Sequence, residues 1–153
     1  MPGTIDARLA ELGLALPEPS TPAANYVPFV RTGNLVFISG QISQGPEGRI
    51  TGLLGADMDI EAGAAAARTC AINLLAHLKT ACEGDLDRVV RVVKLLGFVN
   101  SAPGFQGQPM VVNGASDLLV EVFGDKGRHA RSAVGATLPL GAAVEVEGIF
   151  EIA

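Results

Sequence analysis

Residues 131–147 read R-S-A-V-G-A-T-L-P-L-G-A-A-V-E-V-E, an arginine at one end and paired carboxylates at the other, set in apolar sequence. Arg131 to Val134 reads as the end of one strand. Ala142 to Ile152 alternates small or apolar residues with Glu145, Glu147 and Glu151, the period of two expected of a strand with distinct faces. Leu138-Pro139-Leu140-Gly141 reads as the connection, because proline fixes its own φ and lacks an N–H while glycine supplies the freedom to turn back.

Outward from there the pattern alternates strands and helices. Pro109 to Phe123 carries Met110, Asn113, Asp117 and Glu121 on one helical face and Val111, Ala115, Leu118, Leu119 and Val122 on the other. Asn113-Gly114 would ordinarily score as a hairpin turn, but proline at the start and Gly124 at the end favour a helix. Arg91 to Val99 is β-branched and short, a strand. Asp59 precedes a helix from Ile60 to about Cys82, with Ala67, Ala71, Leu74, Leu75, Leu78 and Ala81 as the buried stripe and Gly84 as the stop. Arg68, Asn73, His77 and Lys79 fall outside that stripe and read as solvent-facing. Tyr26 to Arg31 and Leu35 to Gln41 form a hairpin around Thr32-Gly33-Asn34, and Gly45 to Gly48 is a turn. Thr4 to Leu14 reads as a short helix with Thr4 at its cap, and Leu16 to Ala24, with three prolines, as an extended connector. The division is a helix and connector over residues 1–24 and an α+β domain over 25–153, with helices on one face of a sheet.

Composition bounds the function. A 153-residue chain that is 48% hydrophobic can bury one core, and a formal charge of −5 argues against nucleic acid as a partner. No apolar run is long enough for a membrane span and the N-terminus lacks a secretory pattern, so the expected compartment is the cytoplasm. Cys70 and Cys82 lie roughly 18 Å apart along one helix, too far for a mutual disulfide. The chain has only His77 and His129, and neither a metal-binding nor a nucleophile-elbow motif. His77 reads as a surface residue, and His129, beside Arg128 and Arg131, either modulates a site or is a loop histidine without a role, the plainer reading.

Arg131 carries a rigid fork suited to a carboxylate. From spacing alone, an internal salt bridge to Glu145 or Glu147 is the plainer reading, and Tyr26 and Ser39 are plainest as packing and turn residues.

Taken together, Y-V-P-F-V-R-T-G-N-L-V-F-I-S-G-Q-I (26–42), V-K-L-L-G-F-V (93–99), V-N (112–113), A-R-S-A-V (130–134), L-P (138–139) and V-E-V-E (144–147) resemble the RidA family, also called the YjgF family. The resemblance covers everything after about Ala24. It implies a chorismate-mutase-like mixed β-sheet with two main helices on one face, here with an additional short N-terminal helix. It further implies a homotrimer with clefts between subunits, and hydrolysis of reactive 2-imino acids or enamines to 2-keto acids and ammonia without a metal or organic cofactor. Carried over by motif, Arg131 binds the substrate carboxylate and Glu145 holds the attacking water or moves its proton. Tyr26, Ser39 and Asn113 line or shape the pocket, and Gly40 lets the backbone approach the ligand. Ala133 stands where the deaminase branch often has cysteine, its carbonyl able to orient water. The segment from Arg131 to Pro139 is one residue shorter than in that branch. These departures and the N-terminal helix suggest a divergent branch. The alternative is a non-catalytic trimer that binds a small carboxylic or keto acid, and ribonuclease activity is the weakest reading.

Overall fold

The computed structural model describes residues 3–153. In chain order the elements are α1 (Thr4–Glu11), β1 (Phe29–Thr32), β2 (Leu35–Ile42), β3 (Gln44–Gly45), β4 (Gly48–Arg49), α2 (Ile60–Ala81), β5 (Val89–Asn100), α3 (Gln108–Phe123), β6 (Ala130–Ala136) and β7 (Val144–Ile152). Five strands make one mixed sheet in the order β1-β2-β7-β5-β6, with β3 and β4 as a separate small hairpin. Only β5 and β6 pair in parallel; β7 runs antiparallel to both β2 and β5. The last strand is therefore inserted inside the β2-α2-β5 unit, between β2 and β5, whereas the two strands of β5-α3-β6 pair directly. α2 lies over β2 and β7, and α3 over β5 and β6, so one face of the sheet is covered.

Local chemistry explains the elements. The Asp59 carboxylate accepts the Ala62 amide at 2.8 Å and caps α2, whose stripe of Ala66, Ala67, Cys70, Ala71, Leu74, Leu75 and Leu78 is fully buried. The faces of α3 divide as the periodicity predicts: Val111, Ala115, Leu118, Leu119 and Val122 are buried and Met110, Asn113, Asp117 and Glu121 exposed. Burying each of these leucines contributes roughly 1.5–3 kcal/mol. Gly114 belongs to this helix because α2 passes directly over it, and a Cβ there would run into the Ala64 carbonyl. Both cysteines are free and buried.

Four local expectations need correction. Tyr26 lies outside the strand: Pro28 offers no amide, and β1 begins at Phe29. Thr4 is not the cap of α1; the Thr4 and Ile5 amides instead donate to the Asp87 carboxylate at 2.9 and 2.8 Å, which fastens the helix to the body and holds that carboxyl below its ordinary range. The helix ends at Glu11 rather than Leu14, with Gly13 at positive φ. His77 is buried, only 2% exposed. No helix among the described residues is long and apolar enough to cross a membrane.

Replacing Gly114 by alanine is expected to lower stability by about 3 kcal/mol, because backbone must move to admit the methyl group. Urea denaturation of the two proteins checks it, and an unchanged midpoint would show that the helices do not need this close approach.

Candidate functional site

The register between β2 and β7 breaks between Ile38 and Gln41. This irregularity sets the Gly40 backbone against the Glu145 side chain so closely that a Cβ at position 40 would stand 2.7 Å from Oε2. Beside it the Ser39 hydroxyl donates to the Val27 carbonyl at 2.7 Å, and the Ser39 amide to the Pro28 carbonyl at 2.9 Å, fixing the segment that carries Tyr26. Tyr26, Gly40 and Glu145 line one cleft of about 840 Å³ whose further walls are the connector from Ala15 to Ala24 and the Pro139-Leu140 turn. Half-burial first, and the neighbouring Glu147 carboxylate second, push the Glu145 carboxyl above its ordinary range. Among the described residues no cation pairs with it.

Arg131 is elsewhere. Its strand neighbour Leu95 is fully buried beneath the helices, so Arg131 also points to that side, onto α3. Nη1 donates to Asn113 Oδ1 at 2.8 Å and Ser116 Oγ at 3.2 Å, and Nη2 to the Pro109 carbonyl at 3.1 Å. The internal salt bridge to Glu145 or Glu147 does not form. Val144 and Val146 take the helix-covered face of β7, which sends both glutamates to the open face. Ala133 shares Arg131's side of β6 and packs on the core.

The seven sequence-derived residues thus fall into two groups: Tyr26, Ser39, Gly40 and Glu145 around the cleft, and Arg131, Asn113 and Ala133 at the β6 edge. Within one chain β5 intervenes between β7 and β6, a spacing of roughly 10 Å, and Glu145 and Arg131 point to opposite faces of the sheet. Among the described residues the Arg131 guanidinium is held by neutral acceptors alone. Three of its five N–H groups are taken, leaving Nε–H and one on Nη2 for an anion.

Three polar side chains do more than the sequence assigned them: His77, read as a surface residue, and Ser20 and Gln41, given no part in the site. His77 Nε2 lies 3.1 Å from Ser20 Oγ, the Ser20 hydroxyl donates to Gln41 Oε1 at 3.2 Å, and Gln41 Nε2 donates to the Ser39 carbonyl at 2.9 Å. The proline-rich connector is thereby tied to the strand end beneath the cleft. The signal was present, since Cys70, Leu74, His77 and Ala81 are spaced four, three and four residues apart, as one helix face requires. His129 had been marked by its place beside Arg131, with its part left open, whereas Ser116 had no comparable signal.

A family profile described as "YjgF/chorismate mutase-like, putative endoribonuclease" matches residues 6–149. Protein TCP17 of Trypanosoma cruzi is 50% identical over 153 residues, spanning 98% of this chain and 95% of that one. The crystal structure of a protein of unknown function from Agrobacterium tumefaciens is 48% identical, with a TM-score of 0.90 over 97% of this chain and 92% of that one. A Shewanella oneidensis protein, also called an endoribonuclease of this kind, is 36% identical with a TM-score of 0.93, over 98% of this chain and all of that one.

Burial holds the His77 imidazole below its ordinary pKa. The unfolded chain therefore takes up this proton first, so the contribution is present above about pH 6.5 and is lost as pH falls below it toward the folded value. His77→Gln should lose less stability than the wild type between pH 7 and 5; parallel losses in melting temperature would deny His77 that part.

Proposed function

We infer the activity from a premise that is itself firm: the chain belongs to the YjgF/chorismate mutase-like family. We propose that it hydrolyses reactive 2-imino acids, or their enamine tautomers, to 2-keto acids and ammonia. The observation that carries this reading is Arg131, an arginine with no acidic partner among the described residues, held by Asn113, Ser116 and the Pro109 carbonyl with two donors to spare. Such a fork is suited to a substrate carboxylate.

On this reading the second half of the site comes from another copy of the chain in a homotrimer, whose Glu145 cleft faces Arg131. The open face of the sheet supports that assembly. Phe37 and Val134 are 40% and 43% exposed there, beside the part-buried Leu96, Phe98 and Ile149, an apolar surface that no element among the described residues covers.

The chemistry asks little of the protein. An iminium carbon is already electrophilic, so the site needs to orient carboxylate, water and a proton carrier. Arg131 fixes the carboxylate and with it C2. Water attacks C2 of the iminium as ionised Glu145 takes one water proton, leaving a carbinolamine. Glu145 returns that proton to nitrogen, the C–N bond breaks with its electron pair leaving on nitrogen, and Glu145 takes the remaining hydroxyl proton as the carbonyl forms. The released ammonia accepts that proton, so the products are the keto acid and ammonium. The carbonyl of Ala133 helps orient the water, and Tyr26, Ser39 and Asn113 shape the pocket. Gly40 keeps the space beside Glu145 that a side chain would fill.

The first test is keto-acid release from imines generated in place by an amino-acid oxidase. Arg131→Ala should lower kcat/KM about a hundred-fold or more, two charge-assisted hydrogen bonds being lost. No acceleration by the wild type over the uncatalysed rate would sink the proposal, and binding of keto acid without turnover would favour a carboxylate sensor. Glu145 must be ionised to take the proton, so activity should rise with pH through its raised pKa. Removing the nearby charge with Glu147→Gln should move that limb to lower pH. A limb that stays in place would show that Glu145 is not the group titrating.

A further inference from the structure

Behind Arg131 runs a chain of hydrogen bonds for which the proposed chemistry has no role. His129 stands just before β6, two residues ahead of Arg131. Its Nδ1 lies 2.6 Å from the Gly127 carbonyl. A carbonyl can only accept, so the ring carries its proton on Nδ1 and offers Nε2 as an acceptor. Nε2 lies 2.9 Å from Ser116 Oγ, so the one serine proton goes to the ring and the oxygen lone pairs are left for Arg131 Nη1, 3.2 Å away. Every bond runs in the same sense: Arg131 donates to Ser116, Ser116 to His129, and His129 to the main chain. Bonds aligned in this way polarise and strengthen one another.

The far end is rigid. Gly127 is buried and packed against the Leu119 carbonyl with no room for a Cβ, so its own carbonyl cannot drift from the ring. Burial, assisted by the Arg131 charge and opposed by the Gly127 carbonyl, holds the imidazole below its ordinary pKa. The near end needs this direction. A hydroxyl can turn its proton either way, and without the ring Ser116 is free to set a donor against the guanidinium donor. Asn113 and the Pro109 carbonyl need no such instruction, since both present fixed acceptor oxygens.

We propose that Ser116 and His129 are positioning residues of the carboxylate site, holding the Arg131 guanidinium on α3 with Nε–H and one Nη2–H left for the ligand. The inference rests on Arg131 being the carboxylate anchor. It adds that this anchor works only while a serine hydroxyl and a neutral, Nδ1-protonated histidine stand behind it.

The test is calorimetric titration with pyruvate of the wild type, Arg131→Ala, Ser116→Ala, Ser116→Thr, His129→Ala and the Ser116→Ala/His129→Ala double variant, with melting temperatures alongside. Ser116→Ala and His129→Ala should each weaken binding about ten-fold. Ser116→Thr, which keeps the hydroxyl, should stay within about three-fold of the wild type. The double variant should bind no more weakly than the weaker single variant, since both act through one chain. In imine hydrolysis the same substitutions should raise KM more than they lower kcat. If both single variants bind pyruvate like the wild type while Arg131→Ala does not, or if their losses add in the double variant, the positioning role is refuted and the Arg131 reading stands. If the wild type binds no pyruvate, or Arg131→Ala binds it as well as the wild type does, the Arg131 reading fails and the inference with it.

Discussion

The arrangement depends on how closely α2 and α3 approach. Where they meet, Gly114 lies against the Ala64 carbonyl without room for a methyl group, and Gly63 is enclosed by Leu54 and Val111. Small residues at such a crossing let two helices share one face of a five-stranded sheet, and the shared face fixes the rotation of each. Once the apolar side of α3 is turned into the core, Pro109, Asn113 and Ser116, spaced four and three residues apart, fall beside the edge strand β6.

The same sheet keeps its charged groups apart. Arg131 and Glu145 lie on strands with β5 between them and point to opposite faces, so the pairing that would neutralise both within one chain is closed by the pleat itself. Each is left in a distinct electrostatic state. The arginine is bound by neutral oxygens and keeps two donors. The glutamate is half-buried, has no cation against it among the described residues, and stands beside Glu147, conditions that favour its protonated form more than water would. The irregular pairing at Ser39-Gly40 adds a steric element, since it brings a main chain without a side chain to the carboxylate.

The N-terminal segment is more than an appendage. Leu9 enters the core, α1 is fastened by the Asp87 carboxylate, and Ser20 binds His77 while the connector walls the cleft that holds Glu145. The Shewanella and Agrobacterium structures match this chain over 98% and 97% of its length, which takes in most of that segment.

By itself the sequence determined the helices and strands, because periodicity and punctuation are local: Asp59 and Gly84 about α2, Pro109 and Gly124 about α3, and the alternation through Val144 to Ile152. It also marked the residues from which the site is proposed, because the spaced motifs from Tyr26 to Glu147 are specific together. Only the tertiary structure decided which of those residues meet. The face on which Arg131 points follows from its pairing with Leu95, a partner thirty-six positions earlier, and no local pattern encodes that register. The burial of His77 needed the connector to lie over α2, and the role of His129 needed the Gly127 carbonyl on one side and Ser116 of α3 on the other. Polar side chains take their meaning from partners distant in the chain, whereas apolar ones announce themselves by spacing.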